Sequence, residues 1–199
     1  MFLEFPQNKK ENEGWIEVIC GSMFSGKTEE LIRRIRRAQF AKMSIKCFKP
    51  SIDTRYHDQK VVSHDNTSID SIAIEHSSEM IAHCNDVQVV AIDEAQFFDQ
   101  DLPHICNTLA NKGIRVIIAG LDMDFQGKPF GPMPYLLAIA EHVTKVHAIC
   151  VKTGGLANFS FRQTPEESLI QLGEKESYSP LSRGAFIEEM KSKNSGLKK

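Results

Sequence analysis

The sequence predicts an α/β fold, a mostly parallel sheet with helices on both faces. Three observations predict it. The first is an apolar run, Trp15-Ile16-Glu17-Val18-Ile19-Cys20, followed by a glycine-framed turn and then by Glu29-Glu30-Leu31-Ile32-Arg33-Arg34-Ile35-Arg36-Arg37, a strand–loop–helix order. The second is the character of the later runs. Val87–Ile92 and Ile114–Gly120 are β-branched and almost uninterrupted, which suits strands covered on both faces. The third is alternation: helical spacing returns between the apolar runs, as βαβ units require.

The elements follow in order. Residues 1–13 are polar after a short apolar start and read as a flexible tail. A strand over 15–20 leads to a helix over 29–42. Ser44–Lys49 reads as a strand ended by Pro50. Residues 50–72 fit neither period and read as a loop with a short hairpin after it. Helical spacing recurs at 77–84, 100–111 and 133–141, with strands at 87–92, 114–120 and within 142–150. Residues 153–183 read as irregular, holding Gly154, Gly155, Pro165, Gly173 and Pro180 and one apolar stretch at 168–172. A loop of that length in a compact domain is usually functional or disordered. Lys191–Lys199 is polar and reads as a second tail.

The glycine-framed turn carries the chemistry. Gly21-Ser22-Met23-Phe24-Ser25-Gly26-Lys27-Thr28 fits G-x-x-x-x-G-K-[ST], a phosphate-binding loop. Gly21 and Gly26 let backbone amides approach phosphate oxygens. Successive N–H groups and the helix N-terminus make an anion cradle. Lys27 places a cation against the terminal phosphates, and Thr28 offers a hydroxyl to the magnesium ion that travels with a nucleotide. The loop does not reveal the phosphate acceptor, which on this motif alone could be water, protein, nucleic acid or a small molecule.

A second motif lies downstream. Val89-Val90-Ala91-Ile92-Asp93-Glu94 is an apolar strand ending in two acids. In phosphate-loop proteins a carboxylate at this place meets the magnesium ion. Neighbouring side chains on a strand point to opposite faces, so Asp93 and Glu94 need not share a role. If Asp93 reaches the metal, Glu94 can aim at an acceptor, taking a proton from an attacking hydroxyl or orienting a water.

Composition narrows the classes. The 199 residues hold one sizeable core, and 41% hydrophobic with 25% charged content is ordinary for a globular chain. A net charge of −2 gives no bulk pull towards nucleic acid or anionic membrane. Arg33, Arg34, Arg36 and Arg37 cluster on one helix and read as a solvated face. No apolar run reaches a membrane span, and Met1–Pro6 lacks the pattern of a secretory signal, so the expected location is the cytoplasm. Five cysteines, at 20, 47, 84, 106 and 150, include no C-x-x-C pair and read as reduced, mostly buried thiols.

Five segments together resemble the type II thymidine kinase family, from about Gly14 to Phe186. They are Gly21–Arg34; Asp53-Thr54-Arg55-Tyr56; Asp93-Glu94-Ala95-Gln96-Phe97-Phe98; Gly120–Gly131, which matches G-L-D-x-D-F-x-x-x-P-F-G; and Gly173-Glu174-Lys175-Glu176-Ser177-Tyr178. The resemblance implies a RecA-like phosphate-loop domain at 14–149 and a small lasso-type subdomain at 150–190. It implies transfer of the ATP γ-phosphoryl group to the 5′-hydroxyl of thymidine, and a homotetramer. By the same resemblance Gly21, Ser22, Met23, Phe24, Ser25, Gly26, Lys27 and Thr28 hold the donor phosphates. Asp93, with Thr28, belongs to the magnesium site, Glu94 is the base, and Gln96 lies beside the donor. Asp53, Thr54 and Arg55 match a nucleotide-site loop. Met23, Phe97, Leu121, Phe125 and Phe130 match positions around the thymine ring. Leu169, Ile170, Gln171, Leu172, Gly173 and Tyr178 match the loop that closes over the nucleoside. Without the resemblance, Phe97, Leu121 and Phe130 read as plain core.

One departure stands out. Many family members hold a structural zinc with two pairs of cysteine-like ligands. Those positions here are Cys150, Thr153, Ser182 and Ala185, so only one thiolate remains. Even with His147 nearby, four ligands are not assembled, and no structural zinc is expected. Packing of Leu156, Phe159, Leu181 and Phe186, or subunit contacts, would then tie the loop's ends together. Two other classes stay open: a phosphate-loop switch or ATPase, and a regulator that holds nucleotide without kinase activity.

Overall fold

The computed structural model describes residues 13–53, 60–62, 68–164 and 177–196. β1 (Trp15–Cys20) runs into the glycine turn and α1 (Lys27–Phe40), then β2 (Ile45–Pro50). A hairpin of β3 (Lys60–Val62) and β4 (Ser68–Asp70) precedes β5 (Ile72–Ile74). A 3-10 turn at Ser77–Glu79 leads to α2 (Met80–His83), then β6 (Val89–Ile92), α3 (Leu102–Asn111), β7 (Arg115–Gly120), α4 (Met133–Ile139) and β8 (His142–Lys145). Four short strands, β9 (Ala148–Ile149), β10 (Leu156–Ala157), β11 (Phe159–Arg162) and β12 (Tyr178–Leu181), precede α5 (Arg183–Gly196).

Six strands make one sheet in the order β5-β2-β6-β7-β1-β8. Every pairing in it is parallel, with Val18 opposite Ile118 on one side and Val143 on the other. Alternation along the strands builds two cores. Ile16, Val18, Val90, Ile92, Val116 and Ile118 face α3 and α4, meeting Leu102, Ile105, Leu109, Met133 and Leu136. Ile19, Val89, Ala91, Ile117 and Ala119 face α1, meeting Leu31, Ile32, Ile35 and Ala38. That stripe on α1 spans about two turns of one helix face, and each buried aliphatic contributes ~2 kcal/mol of transfer free energy. The carboxyl ends of β1, β6 and β7 therefore open on one edge, where ligands bind in open parallel sheets.

The arginine-rich face of α1 differs from its reading as a solvated face. Arg34 is fully buried, at 0% exposure. It donates to Glu17 at 2.7 Å, to Glu30 at 2.8 Å and to Thr144 at 2.9 Å. Glu17 sits among apolar neighbours on β1 and also accepts from Arg115 at 2.7 Å and from the Trp15 ring N–H at 2.6 Å. A polar residue inside an apolar run pulled two arginines inward, because a buried carboxylate requires paired partners. Burial alone would raise the Glu17 carboxyl; Arg115 leads the groups that outweigh it and hold it below the usual carboxylate range.

The stretch 153–183 contains β10, β11 and β12 where the sequence read as irregular. β9 pairs antiparallel with β10, and β11 with β12. Ala148, Cys150, Ala157, Phe159, Phe161, Leu181, Ala185 and Phe186 form a third core. Phe159 stacks on Phe186 with centroids 4.6 Å apart. Leu156, expected to pack there, is 60% exposed, because alternation on the short β10 turns Ala157 inward instead. The expected strand within 142–150 divides: β8 joins the large sheet and β9 the small lobe. α5 continues to Gly196, into the stretch that read as a tail, and Lys193 on it donates to the carbonyls of Arg162 and Thr164. Three further strands, β3, β4 and β5, occupy the stretch that read as a loop with a hairpin, and β5 extends the large sheet. Cys20, Cys47, Cys106 and Cys150 are buried free thiols, and Cys84 is half-buried.

Candidate active site

The phosphate loop leaves β1 at Gly21, whose φ is 149°, and a Cβ there would sit 2.2 Å from the Val146 carbonyl oxygen. Gly26, at φ 83°, hands the chain into α1. Phe24 adopts φ 62° between them, an uncommon setting for a bulky residue. The Ser22 carbonyl accepts from Ser25 Oγ at 2.7 Å and from Lys27 Nζ at 2.8 Å, curling the loop around its own oxygen. Glu29 and Glu30 follow in the first turn of α1. The Arg33 hydrogen bond, ahead of Arg34, holds the Glu30 carboxyl below its usual range, so an anion at the helix N-terminus meets a compensated charge.

Thr28 donates to Asp93 Oδ2 at 3.3 Å, which joins the loop to the end of β6. Glu94 takes φ 52°, and its N–H bonds Asp93 Oδ1 at 3.0 Å. Such strain on a non-glycine residue costs of order 1–3 kcal/mol and clusters at functional sites. Gln96 donates to Glu94 Oε2 at 2.5 Å, while its own carbonyl oxygen accepts the Leu121 N–H at 2.8 Å. One side chain thereby spans the ends of β6 and β7. The loops after those strands approach closely: a Cβ on Gly131, at φ 51°, would meet the Gln96 carbonyl oxygen at 2.3 Å.

The aromatic residues form two groups. Phe97 and Phe130 meet edge to face at 5.7 Å, with Phe97 half-buried. Phe125 is half-buried and carries the Arg162 guanidinium 3.8 Å over its ring; Arg162 also donates to Tyr178 Oη at 2.6 and 2.9 Å. Met23 is half-buried, and its N–H donates to Ser160 Oγ at 2.9 Å, while Ser22 Oγ donates to the Ala157 carbonyl. The third lobe thus grips the phosphate loop directly. Asp53 is buried, and its carbonyl accepts from Lys49 Nζ at 3.3 Å. Thr54, Arg55 and Leu169–Gly173 lie outside the described residues.

Ser160, Arg162 and Lys49 were not singled out from sequence. Ser160 and Arg162 stand in Phe159-Ser160-Phe161-Arg162, whose alternation was the available signal of a strand with one polar face. Lys49 lies on β2 on the same face as Cys47, the face towards α1, and is buried. Nothing local marks a lysine for burial.

Asp93 and Thr28 fit magnesium, being two hard oxygen donors brought together at the mouth of an anion cradle. The positions that carry zinc ligands elsewhere do not fit zinc. Around Cys150 stand Thr153 and Ser182, with Ala185 in the same apolar core. Burial alone would raise the Cys150 thiol. The Thr153 hydroxyl and the backbone N–H groups of Ser182, Lys152 and Thr153 outweigh it and bring it down to about 6. The sulfur is held by hydrogen bonds, and among the described residues no group of three or more metal-ligating side chains includes it. Among the described residues, no cluster of three or more metal-ligating side chains occurs and no helix is long and apolar enough to cross a membrane.

The family model described as thymidine kinase matches residues 14–186. The thymidine kinase of Bacteroides thetaiotaomicron is 56% identical over 187 residues, covering 94% of each chain. That of Porphyromonas gingivalis is 55% identical, covering 87% of this chain and 85% of the relative. That of a Rhodothermus species is 50% identical, covering 93% and 87%. A phosphate loop, a metal-ready carboxylate beside it and sequence identity over nearly the whole chain agree: this chain belongs to the thymidine kinase family.

Proposed function

We propose that this chain is a thymidine kinase that carries the γ-phosphoryl group of ATP to the 5′-hydroxyl of thymidine, giving dTMP. The observation that carries the reading is the continuous link at one sheet edge, from Thr28 to Asp93 and from Glu94 through Gln96 to the Leu121 backbone. It sets donor-side and acceptor-side residues in one connected frame, and phosphoryl transfer depends mainly on such positioning and on charge stabilisation.

Gly21–Thr28 bind the donor phosphates, which offer Lys27 a charged acceptor in place of the Ser22 carbonyl. Thr28 and Asp93 would hold magnesium, which would supply positive charge against the charge that develops on the transferring phosphoryl group. Glu94 accepts the proton of the 5′-hydroxyl, and the Gln96 amide holds its carboxylate in one orientation. Asp53, Thr54 and Arg55 serve the nucleotide site. Met23, Phe97, Leu121, Phe125 and Phe130 surround the flat, methyl-bearing base, for which apolar neighbours suit. Leu169–Gly173 and Tyr178 close over the nucleoside.

A kinase domain at 14–149 and a lasso subdomain at 150–190 are supported by the third core and its separate strand pairs, although β9 and Ala148 of that lobe lie before residue 150. A cytoplasmic homotetramer without structural zinc, nucleic-acid partner or membrane partner completes the reading. The hydrogen-bonded Cys150 and the net charge of −2 support its last three parts.

The test is ADP release from ATP and magnesium with and without thymidine. Thymidine-dependent release is expected. Equal release without nucleoside would overturn the reading in favour of an ATPase, and one zinc per purified chain would overturn the metal-free lobe.

A further inference from the structure

Arg162 is 1% exposed, at the end of β11. Burying a guanidinium is costly, and an apolar side chain of similar volume is often at least as stable in such a place. Its retention calls for a geometric reason, and the surroundings supply one. On β11, Phe159 and Phe161 point into the third core, so Ser160 and Arg162 share the opposite face. Ser160 on that face accepts the Met23 N–H of the phosphate loop. Arg162, two residues on, therefore faces the same side as the donor site.

The guanidinium joins two segments there. Its Nε and Nη2 both donate to Tyr178 Oη, at 2.9 and 2.6 Å, across the β11–β12 register that sets Arg162 opposite Tyr178. Its Cζ lies over the ring of Phe125, from the loop after β7, 3.8 Å from the centroid. A planar fork can do both at once, whereas a lysine ammonium is a point charge that can do neither bidentately nor by stacking. α5 steadies the strand end, because Lys193 donates to the Arg162 carbonyl at 3.2 Å.

We infer that Arg162 is a positioning residue for the nucleoside half of the site, clamping Phe125 and Tyr178 into one wall against which the pyrimidine ring packs. The inference rests on the proposed placement of thymidine beside these two rings. It assigns Arg162 no contact with ATP. With both N–H groups aimed at the Tyr178 oxygen, the phenol is also left to act towards its remaining partners as a donor.

The experiment measures kcat and the KM for thymidine and for ATP in wild type, Arg162→Lys, Tyr178→Phe and the double variant, with a melting curve for each. Arg162→Lys is expected to raise the thymidine KM about tenfold, the loss of a charge-assisted hydrogen bond. The ATP KM should stay within about twofold, since a uniform loss would mean general damage. The double variant should be no worse than Arg162→Lys alone, because both changes remove one shared contact. An unchanged thymidine KM, a parallel rise in both KM values, or additive effects would each overturn the inference. Tyr178→Phe, which keeps the ring, carries the test if the arginine variant melts at the assay temperature: an unchanged thymidine KM in it is then the overturning result. A wild type without thymidine-stimulated turnover would instead overturn the functional reading itself, so the two failures are distinguishable.

Discussion

The sheet body and the third lobe bury positive charge in different ways. In the body, Glu17 gathers Arg34 and Arg115 into an ionic network that binds α1, β1 and β7 together beneath the phosphate loop. In the lobe, Arg162 meets a phenol oxygen and an aromatic face on the side that grips the loop. The body's network secures a platform; the lobe's arginine shapes a wall. The extent of the sheets follows the same division. Among the described residues, the body has six parallel strands with a core on each face, while the lobe has two antiparallel pairs around one small core.

Four measurements put this difference between body and lobe to the test. The largest effect is expected at Glu94, where the body meets the acceptor. Glu94→Gln should lower kcat on the order of 10²-fold, the scale of a lost general base, with ATP affinity little changed. Equal losses in both would reject the assignment. Glu17→Gln should come next, by leaving two arginines buried around a neutral amide. It should lower the free energy of unfolding by ~3–5 kcal/mol in urea titration, without separating the two KM values. A loss below ~1 kcal/mol would mean that the network does not secure the body.

Ser160→Ala probes the seam between the halves. Removing one hydrogen bond to the Met23 N–H is expected to cost ~1 kcal/mol, read as a drop of about fivefold in kcat/KM. No change would show that the lobe touches the loop without steering it. The smallest effect concerns pH. Cys150 has its thiol lowered from 9.0 to about 6 in the folded lobe. An acid lowered on folding adds stability above its unfolded value and loses it as pH falls through the folded one. The lobe should therefore lose stability between about pH 9 and pH 6, a loss absent in Cys150→Ala. Glu17, lowered from 4.5, contributes its own pH dependence only below that window. Protection against amide exchange should thus fall in β9–β12 but not in β1 or β7. A uniform fall, or none, would erase this difference.

The strand, phosphate loop and helix at 15–40 were legible because their signals are local. Gly21–Thr28, the strand before it and the helix after it lie within one βα unit, and Asp93 and Glu94 end an apolar run that reads as a strand without help. The five short segments pointed to the family for the same reason. Burial of Arg34 was not legible, since its neighbours on α1 are alike and two of the acceptors that draw it inward, Glu17 and Thr144, come from other strands. The β-strands of the third lobe were hidden by their length: two- to four-residue strands leave no period to read. Leu156 and Ala157 divide between solvent and core only once β9 sets their register.

Residue type within a short window was enough to read the α/β class, the phosphate-loop motif and the lack of zinc-ligating side chains at 153, 182 and 185. The tertiary structure alone decided that Ser160 holds the phosphate loop, that Gln96 bridges Glu94 to Leu121, and that Arg162 stacks on Phe125. Apart from Gln96 and Glu94, those partners are far apart in the chain. A contact between distant residues has no local signature, because it exists only after two separately formed elements have packed and set each other's register.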